Sequence, residues 1–262
     1  MSLLLIVLLA IVQGLTEFLP VSSSGHLVVS RAILGPTLGT ISSPLAFDIL
    51  IHFATALVTA FFLRKELLVI LRKVFTATGE RERRLVGLLI VATLPAVVIG
   101  LSFKDTIESL FISPHWALNG FLVTAILLEL AHRFQVKLGA DSAAALTTLI
   151  IGVGQACAIM PGISRSGSTI AIALLLSLPA RTAVLFSFFM LLPVIAGACL
   201  LEAKELASLE SIDSTPLLIA FFTTMATAYV ALRFLVWIVE GAKLRWFAIY
   251  TFAISCGLRF FI

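Results

Sequence analysis

Charged residues are scarce in this sequence. They make up 12% of the 262 residues, whereas hydrophobic residues make up 60% and the mean hydropathy is +1.15. Because soluble domains carry about a quarter charged residues, this composition excludes a soluble globular class and indicates a polytopic protein of the lipid bilayer. The net charge of +4 is small and scattered, so no nucleic-acid partner is expected.

Cysteine is also rare, and its spacing indicates no site. Cys157, Cys199 and Cys256 are isolated within apolar runs, which argues against a disulfide framework and against a zinc site. The chain contains no nucleotide-binding loop, so an ATP-driven machine is not expected. No Lys or Arg precedes Arg31 and no AxA cleavage site follows, so the first segment is not expected to be an ordinary signal peptide.

Long apolar runs, in contrast, are abundant. Spanning a bilayer takes roughly 17–25 helical residues, and about six segments reach or approach this length: 45–63, 85–101, 116–133, 184–201, 217–238 and 246–262. Two further regions are shorter and broken by Pro, Gly and hydroxyl residues. Residues 2–19 and 24–41 flank PVSSSGH, and residues 143–160 and 169–180 flank PGISRSGST. Paired half-helices of this kind are typical of re-entrant hairpins.

The charges of the loops predict an orientation. By the positive-inside rule the basic loops are expected in the cytoplasm, namely 64–84, 132–137 and 239–245. The acidic loop 202–214 and both termini are expected outside.

The sequence therefore predicts an all-α integral membrane protein with one domain, 1–262, of about six transmembrane helices and two re-entrant hairpins. The hairpins, 1–42 and 143–180, enter from opposite sides. The halves, 1–133 and 143–262, then form an inverted-topology repeat, which brings the two broken loops together near the bilayer midplane.

The first broken helix collects polar side chains that are costly in a membrane. Glu17 is a candidate functional residue because a buried carboxylate costs a few kcal/mol on insertion scales. Gln13 lies four residues earlier and so shares its helix face. Ser22, Ser23, Ser24 and His26 follow in the break. Two alternatives stay open: Glu17 pairs with a buried Arg, and the serines merely cap a half-helix.

The second broken helix supplies the opposite charge. Arg165 lies among Ser164, Ser166, Ser168 and Thr169, just before the helical run IAIALLLSL. A helix N-terminus favours anions, and the guanidinium fork suits phosphate, so this loop predicts a phosphate site. The alternative is an Arg that neutralises Glu17. Together the two loops offer a carboxylate, a nucleophile, a base and an anion clamp, which is the set that phosphoester cleavage needs.

Two further features concern the surroundings of this site. Glu17 and Gln13 provide oxygen ligands that suit Mg²⁺ or Ca²⁺. Asp48 and His52, four residues apart in the first full span, either line the site or form an intrahelical pair without chemistry.

At this point the motifs identify a family. VQGLTEFLPVSSSGH resembles the first signature of bacterial undecaprenyl-diphosphate phosphatases, and PGISRSGST resembles their second. The resemblance extends over essentially the whole chain. It implies hydrolysis of undecaprenyl diphosphate to undecaprenyl phosphate in the cytoplasmic membrane, which recycles the lipid carrier of peptidoglycan synthesis. It also implies a divalent-cation requirement and a link to bacitracin resistance. A homodimer is left open.

The resemblance also implies which residues form the site. Catalysis is expected to involve Glu17, Ser23, His26 and Arg165, and the diphosphate is expected to contact Ser22, Ser164, Arg165, Ser166 and Thr169. Gln13 and Glu17 are the candidate metal ligands, although the family pattern also allows Glu at position 13. We expect Ser23 to attack the terminal phosphorus, with the His26 ring within hydrogen-bond reach as its base.

Other mechanisms and functions stay open. In one alternative His26 attacks, and in another Glu17 activates water directly. A transporter or flippase for a phosphorylated lipid would share the inverted repeat and the anion site but would need no nucleophile. An intramembrane serine protease would have no use for Arg165 in a hydroxyl-rich loop.

Overall fold

The computed structural model describes residues 2–41, 43–134, 145–201, 214–240 and 244–262. Within these ranges the chain forms α-helices joined by short turns. The helices are α1 (Leu3–Phe18), α2 (Ser23–Leu38), α3 (Pro44–Phe62), α4 (Arg64–Lys73), α5 (Glu80–Ser102), α6 (Lys104–Leu110), α7 (Pro114–Phe134), α8 (Ala145–Cys157), α9 (Arg165–Leu175), α10 (Ala180–Leu201), α11 (Ser214–Glu240) and α12 (Arg245–Leu258).

Five of these helices are long and apolar enough to cross a membrane: α3, α5, α7, α10 and α11. Each covers one of the predicted spans, which confirms an all-α integral membrane protein. The sixth predicted span, 246–262, is shorter than expected, because α12 has 14 residues and ends at Leu258. At 1.5 Å per residue it is about 21 Å long, whereas the hydrocarbon core is roughly 30 Å thick.

The two predicted breaks are present at the expected motifs. The first separates α1 from α2 and contains Pro20, whose ring disfavours a helical residue before it; Leu19 is accordingly extended, with φ −62° and ψ 142°. The second separates α8 from α9. Here the sequence reading was wrong by four residues, because α9 begins at Arg165 rather than at residue 169. The Ser164 hydroxyl accepts a hydrogen bond from Gly167 N and caps the helix at this earlier point.

Helices α1 and α8 each pack against a long helix from the opposite half of the chain. Helix α1 packs against α11, and α8 packs in the same way against α5. Both α2 and α9 pack against α7, so α7 lies behind both breaks. The packing of α1 against α11 and the packing of α8 against α5 are equivalent contacts, as an internal repeat would produce.

The inverted repeat and its orientation in the membrane stay predictions. Most of the charged connections on which the topology depends lie outside the described residues, including 135–144, 202–213 and 241–243. Loop 64–84, by contrast, is described. It consists of α4, a short turn and the start of α5.

Candidate active site

The two breaks meet through their backbones. A Cβ atom added to Gly25 would lie 2.7 Å from Gly162 Cα and 2.7 Å from a ring carbon of Phe121. Gly162 itself has a positive φ of 87°, a conformation that glycine adopts without the steric cost of a side chain. The start of α2 and the turn before α9 are therefore in direct contact, and their polar side chains surround one point.

That point is the carboxylate of Glu17, which is only 8% exposed. Its Oε2 atom accepts hydrogen bonds from the Ser23 hydroxyl at 2.6 Å and from Gln13 Nε2 at 3.0 Å. Its Oε1 atom accepts from Arg165 Nη2 at 3.2 Å. The alternative in which Glu17 pairs with a buried Arg is thus present in the structure, together with a short hydrogen bond from the serine of the first motif.

His52 also reaches this carboxylate. Its Nε2 atom lies 3.6 Å from Glu17 Oε2, and its Nδ1 atom lies 2.7 Å from the carbonyl oxygen of Asp48. The Asp48 carboxylate forms an ion pair with Arg31 instead. The structure therefore places the His52 side chain beside Glu17, whereas the Asp48 carboxylate pairs with Arg31.

Arg165 is fixed from α10 as well as by Glu17. Its Nη1 atom donates to the Ser187 carbonyl oxygen at 3.1 Å, and the Ser187 and Thr169 hydroxyls are hydrogen bonded at 2.7 Å. Sequence reasoning missed Ser187. The available signal was a single hydroxyl in the apolar run LFSFFM, and this residue is buried.

The hydroxyls at the start of α9 mostly satisfy neighbouring backbone. Ser166 donates to the Leu19 carbonyl oxygen at 3.2 Å, and Thr169 donates to the Arg165 carbonyl oxygen at 2.8 Å. Ser164 caps the helix, as described above. These bonds join the second motif to the end of α1 and direct Arg165 towards Glu17.

Thr124 of α7 connects the turn before α9 to the scaffold behind it. Its hydroxyl donates to the Gly162 carbonyl oxygen and accepts from Ser164 N, both at 2.9 Å. The side chain is 1% exposed, so water cannot replace either bond. Sequence reasoning missed Thr124, because a lone Thr in an apolar span indicates nothing about its partner.

We expect Thr124→Val to lower both stability and turnover. Valine keeps the shape but leaves two buried backbone groups without their partner, which costs about 1–3 kcal/mol for each group. Thermal unfolding of the purified variant measures stability, and release of phosphate, the activity expected from the two motifs, measures turnover. Thr93→Val is a matched control, because among the described residues the Thr93 hydroxyl bonds only within its own helix, to the Leu89 carbonyl oxygen. Equal effects of the two substitutions would contradict the role of Thr124.

The structure corrects the predicted contact between Ser23 and His26. Ser23 donates to Glu17, whereas the His26 ring lies 2.7 Å from the Ser22 carbonyl oxygen through Nδ1 and 2.9 Å from the Tyr250 hydroxyl through Nε2. The reason is the backbone at Ser22, whose φ is 70° and whose carbonyl is thereby turned towards the imidazole. The Ser22 hydroxyl accepts from Gly25 N at 3.3 Å and caps α2.

The residues around Glu17 also suit part of a cation site. Among the described residues no three His, Cys, Asp or Glu side chains form a metal cluster. However, the Gln13 amide contacts Glu17 through Nε2, and its Oε1 atom is buried and has no hydrogen-bond partner in the described part of the chain. One carboxylate and one amide oxygen, completed by substrate phosphates, match the way Mg²⁺ is usually bound.

Fold and site together define a polytopic helical membrane protein with a buried serine, carboxylate and arginine site, formed where two broken helices meet. The chain belongs to the family described as Bacitracin resistance protein BacA, whose model matches residues 6–257. The resemblance predicted from the two motifs is confirmed.

Several relatives that are named undecaprenyl-diphosphatase are similar to this chain over nearly their whole length. The one from Carboxydothermus hydrogenoformans is 38% identical over 253 residues, covering 95% of this chain and 93% of that protein. The one from Christiangramia forsetii is 40% identical over 261 residues, covering 97% and 96%. The one from Rhodopirellula baltica is 38% identical over 261 residues, covering 98% and 96%.

Proposed function

We propose that this chain is an integral membrane phosphatase that hydrolyses undecaprenyl diphosphate to undecaprenyl phosphate and inorganic phosphate. The observation that carries the proposal is the buried Glu17 carboxylate, which bonds both the Ser23 hydroxyl and the Arg165 guanidinium. The relatives named above carry this activity in their names, and the chain covers nearly their full length. The site thus brings together a nucleophile (Ser23), its base (Glu17) and a guanidinium that can bind phosphate (Arg165).

In the proposed first step the Ser23 oxygen attacks the terminal phosphorus. A bond from this oxygen to phosphorus forms while the bond to the bridging oxygen breaks, and Glu17 accepts the serine proton. Undecaprenyl phosphate leaves with the bridging oxygen and its electron pair, and a phosphate leaving group needs no proton from the protein. The charge that develops on the phosphoryl oxygens is stabilised by Arg165, as phosphoryl transfer requires.

In the proposed second step water attacks the phosphorylated serine. Glu17 still holds the serine proton and returns it to the Ser23 oxygen as the bond from that oxygen to phosphorus breaks. The water keeps one hydrogen as the hydroxyl of the product and releases its other proton to solvent. Inorganic phosphate is the product. Thr169, Ser164 and Ser166 keep Arg165 and the helix N-terminus in place during both steps, through the bonds described above.

A divalent cation, Mg²⁺ or Ca²⁺, stays part of the proposal. Gln13 Oε1 and the Glu17 carboxylate would bind it together with the diphosphate oxygens. When bound, it would offset negative charge on the diphosphate.

The test of the function is phosphate release from undecaprenyl diphosphate by the purified protein, with and without a chelator. We expect release that the chelator lowers. A transporter or flippase would release no phosphate, and that result would overturn the proposal. A transporter would not need the hydrogen bond from Ser23 to Glu17, because it has no serine to activate.

The nucleophile is tested by Ser23→Ala. Removal of the attacking oxygen should lower single-turnover phosphate release by at least about a thousand-fold, within the range of nucleophile and base effects. Ser24→Ala is a matched control, since the Ser24 hydroxyl bonds the Ser22 hydroxyl and not Glu17. If Ser23→Ala kept substantial turnover, the site would use His26 or a water activated by Glu17 instead.

The location of this reaction is proposed from the family to which the chain belongs. The chain is a multi-pass membrane protein, and we propose the bacterial cytoplasmic membrane, with both termini outside. There it would return the lipid carrier to peptidoglycan synthesis, and its activity would confer bacitracin resistance.

A further inference from the structure

Tyr250 bonds the histidine of the first motif from the far end of the chain. It lies in α12, 224 residues after His26, and its hydroxyl is 2.9 Å from His26 Nε2. The planes of the two rings are parallel within 2°, with centroids 5.7 Å apart. Phe121 of α7 closes another side of the imidazole, edge-on at 4.9 Å. Both ring nitrogens and one face of His26 are therefore occupied by protein.

The hydrogen bonds define how the imidazole is protonated. A carbonyl oxygen can only accept, so the Nδ1 atom that lies 2.7 Å from the Ser22 carbonyl oxygen carries the proton. In the neutral ring Nε2 then has a lone pair and accepts the hydrogen bond from the Tyr250 hydroxyl. The phenol thus favours the tautomer that can donate to Ser22.

The Ser22 carbonyl oxygen accepts two hydrogen bonds from the same residue. It accepts from the His26 backbone N–H at 3.2 Å as well as from the His26 ring, and Ser22 has a positive φ of 70°. A non-glycine residue in this region costs of order 1–3 kcal/mol and persists only where its surroundings enforce it. Ser23 follows directly and starts α2, so the conformation of Ser22 determines where the Ser23 hydroxyl points.

We propose that Tyr250 is a positioning residue of the active site. It keeps His26 in the tautomer and orientation that bond the Ser22 carbonyl, and the resulting turn directs Ser23 at Glu17. Because Tyr250 lies in the second half of the chain and Ser23 in the first, this contact makes the nucleophile depend on the packing between the halves. The inference rests on the proposed phosphatase function and adds a residue that neither motif contains.

The first test is Tyr250→Phe, which removes one oxygen and keeps the ring. We expect kcat to fall about ten-fold, as the loss of one hydrogen bond allows, while KM changes little because Arg165 still binds the phosphate. Tyr229→Phe is the matched control, since Tyr229 is the other tyrosine of the chain and is similarly exposed on α11. Wild-type kcat in Tyr250→Phe would overturn the proposal.

The second test separates a positioning role from general loss of packing. In a His26→Ala background, Tyr250→Phe should have no further effect on residual phosphate release, because it acts through the missing ring. An unchanged ten-fold loss in that background would show that Tyr250 acts otherwise and would overturn the proposal.

The third test does not depend on turnover. Nitrogen-15 NMR of imidazole-labelled protein, with His26 assigned from His26→Ala, should show the Nδ1–H tautomer in the wild type. Tyr250→Phe should shift the Nε2 resonance, and Tyr229→Phe should not. Identical His26 resonances in wild type and Tyr250→Phe would refute the contact. Failure of the wild type to release phosphate would refute the phosphatase function alone, since this spectrum reports the contact directly.

Discussion

Glu17→Gln should release phosphate at least about a thousand-fold more slowly than the wild type, because general base catalysis contributes about 10²–10⁴-fold and the amide also loses the charge. Glutamine has nearly the same shape, so the hydrogen bonds around position 17 rearrange but the packing remains. The amide cannot accept the Ser23 proton, and it no longer neutralises Arg165. Phosphate release under single-turnover conditions measures the effect without interference from product release.

A charged residue away from the site provides the control. Glu129 of α7 also pairs with an arginine, Arg133, at 2.7 Å, and Glu129→Gln should keep near wild-type turnover. Thermal unfolding of both variants would show that the folded state is retained. Glu17→Gln could instead keep more than about a tenth of wild-type turnover. Such a loss is too small for the removal of a general base, and Glu17 would then be a structural partner of Arg165 and not the base.

Arg165→Lys should lose on the order of a hundred-fold or more in phosphate release, and Arg165→Ala still more, since removing one donor of this kind costs about 10²–10³-fold. Lysine keeps the charge but lacks the planar fork that reaches Ser187 and Glu17 at the same time. A point charge therefore cannot bond both partners and the phosphate in one geometry.

Arg133→Lys is the matched control, because Arg133 is an exposed member of an ion pair within one helix. We expect it to leave phosphate release unchanged. Should Arg165→Lys retain most of the wild-type activity, the guanidinium would have no specific role in binding phosphate. Arg165 would then serve to neutralise Glu17, which is the alternative that the sequence left open.

The composition and the two motifs were sufficient to predict most of the architecture. Glu17 and Arg165 were predicted to lie near each other because an inverted repeat brings the two broken loops together, and Glu17 was singled out because a carboxylate is costly in a membrane. The breaks were predicted because Pro20 and the glycines of both motifs are unfavourable inside helices. These signals are local, because they depend on the free energy of placing single residues in a bilayer or in a helix.

The residues that sequence reasoning missed act through long-range contacts. Thr124 and Ser187 are single hydroxyls in apolar helices, and nothing in their neighbours along the chain indicates their partners. Tyr250 resembles any aromatic residue of a membrane helix. The error on Ser23 and His26 has another cause: their spacing of three residues allowed contact, but the positive φ of Ser22 turns the imidazole towards the backbone.

The ion pair between Glu17 and Arg165 also has a consequence for biosynthesis. The two residues are 148 positions apart, and ribosomes add about 5–20 residues per second, so roughly 7–30 s of translation separate them. During that interval α1 leaves the ribosome with a carboxylate whose countercharge has not yet been made. The nascent first half must therefore keep Glu17 hydrated or protonated until α9 emerges, and a chain truncated before α9 carries an acid that the bilayer disfavours.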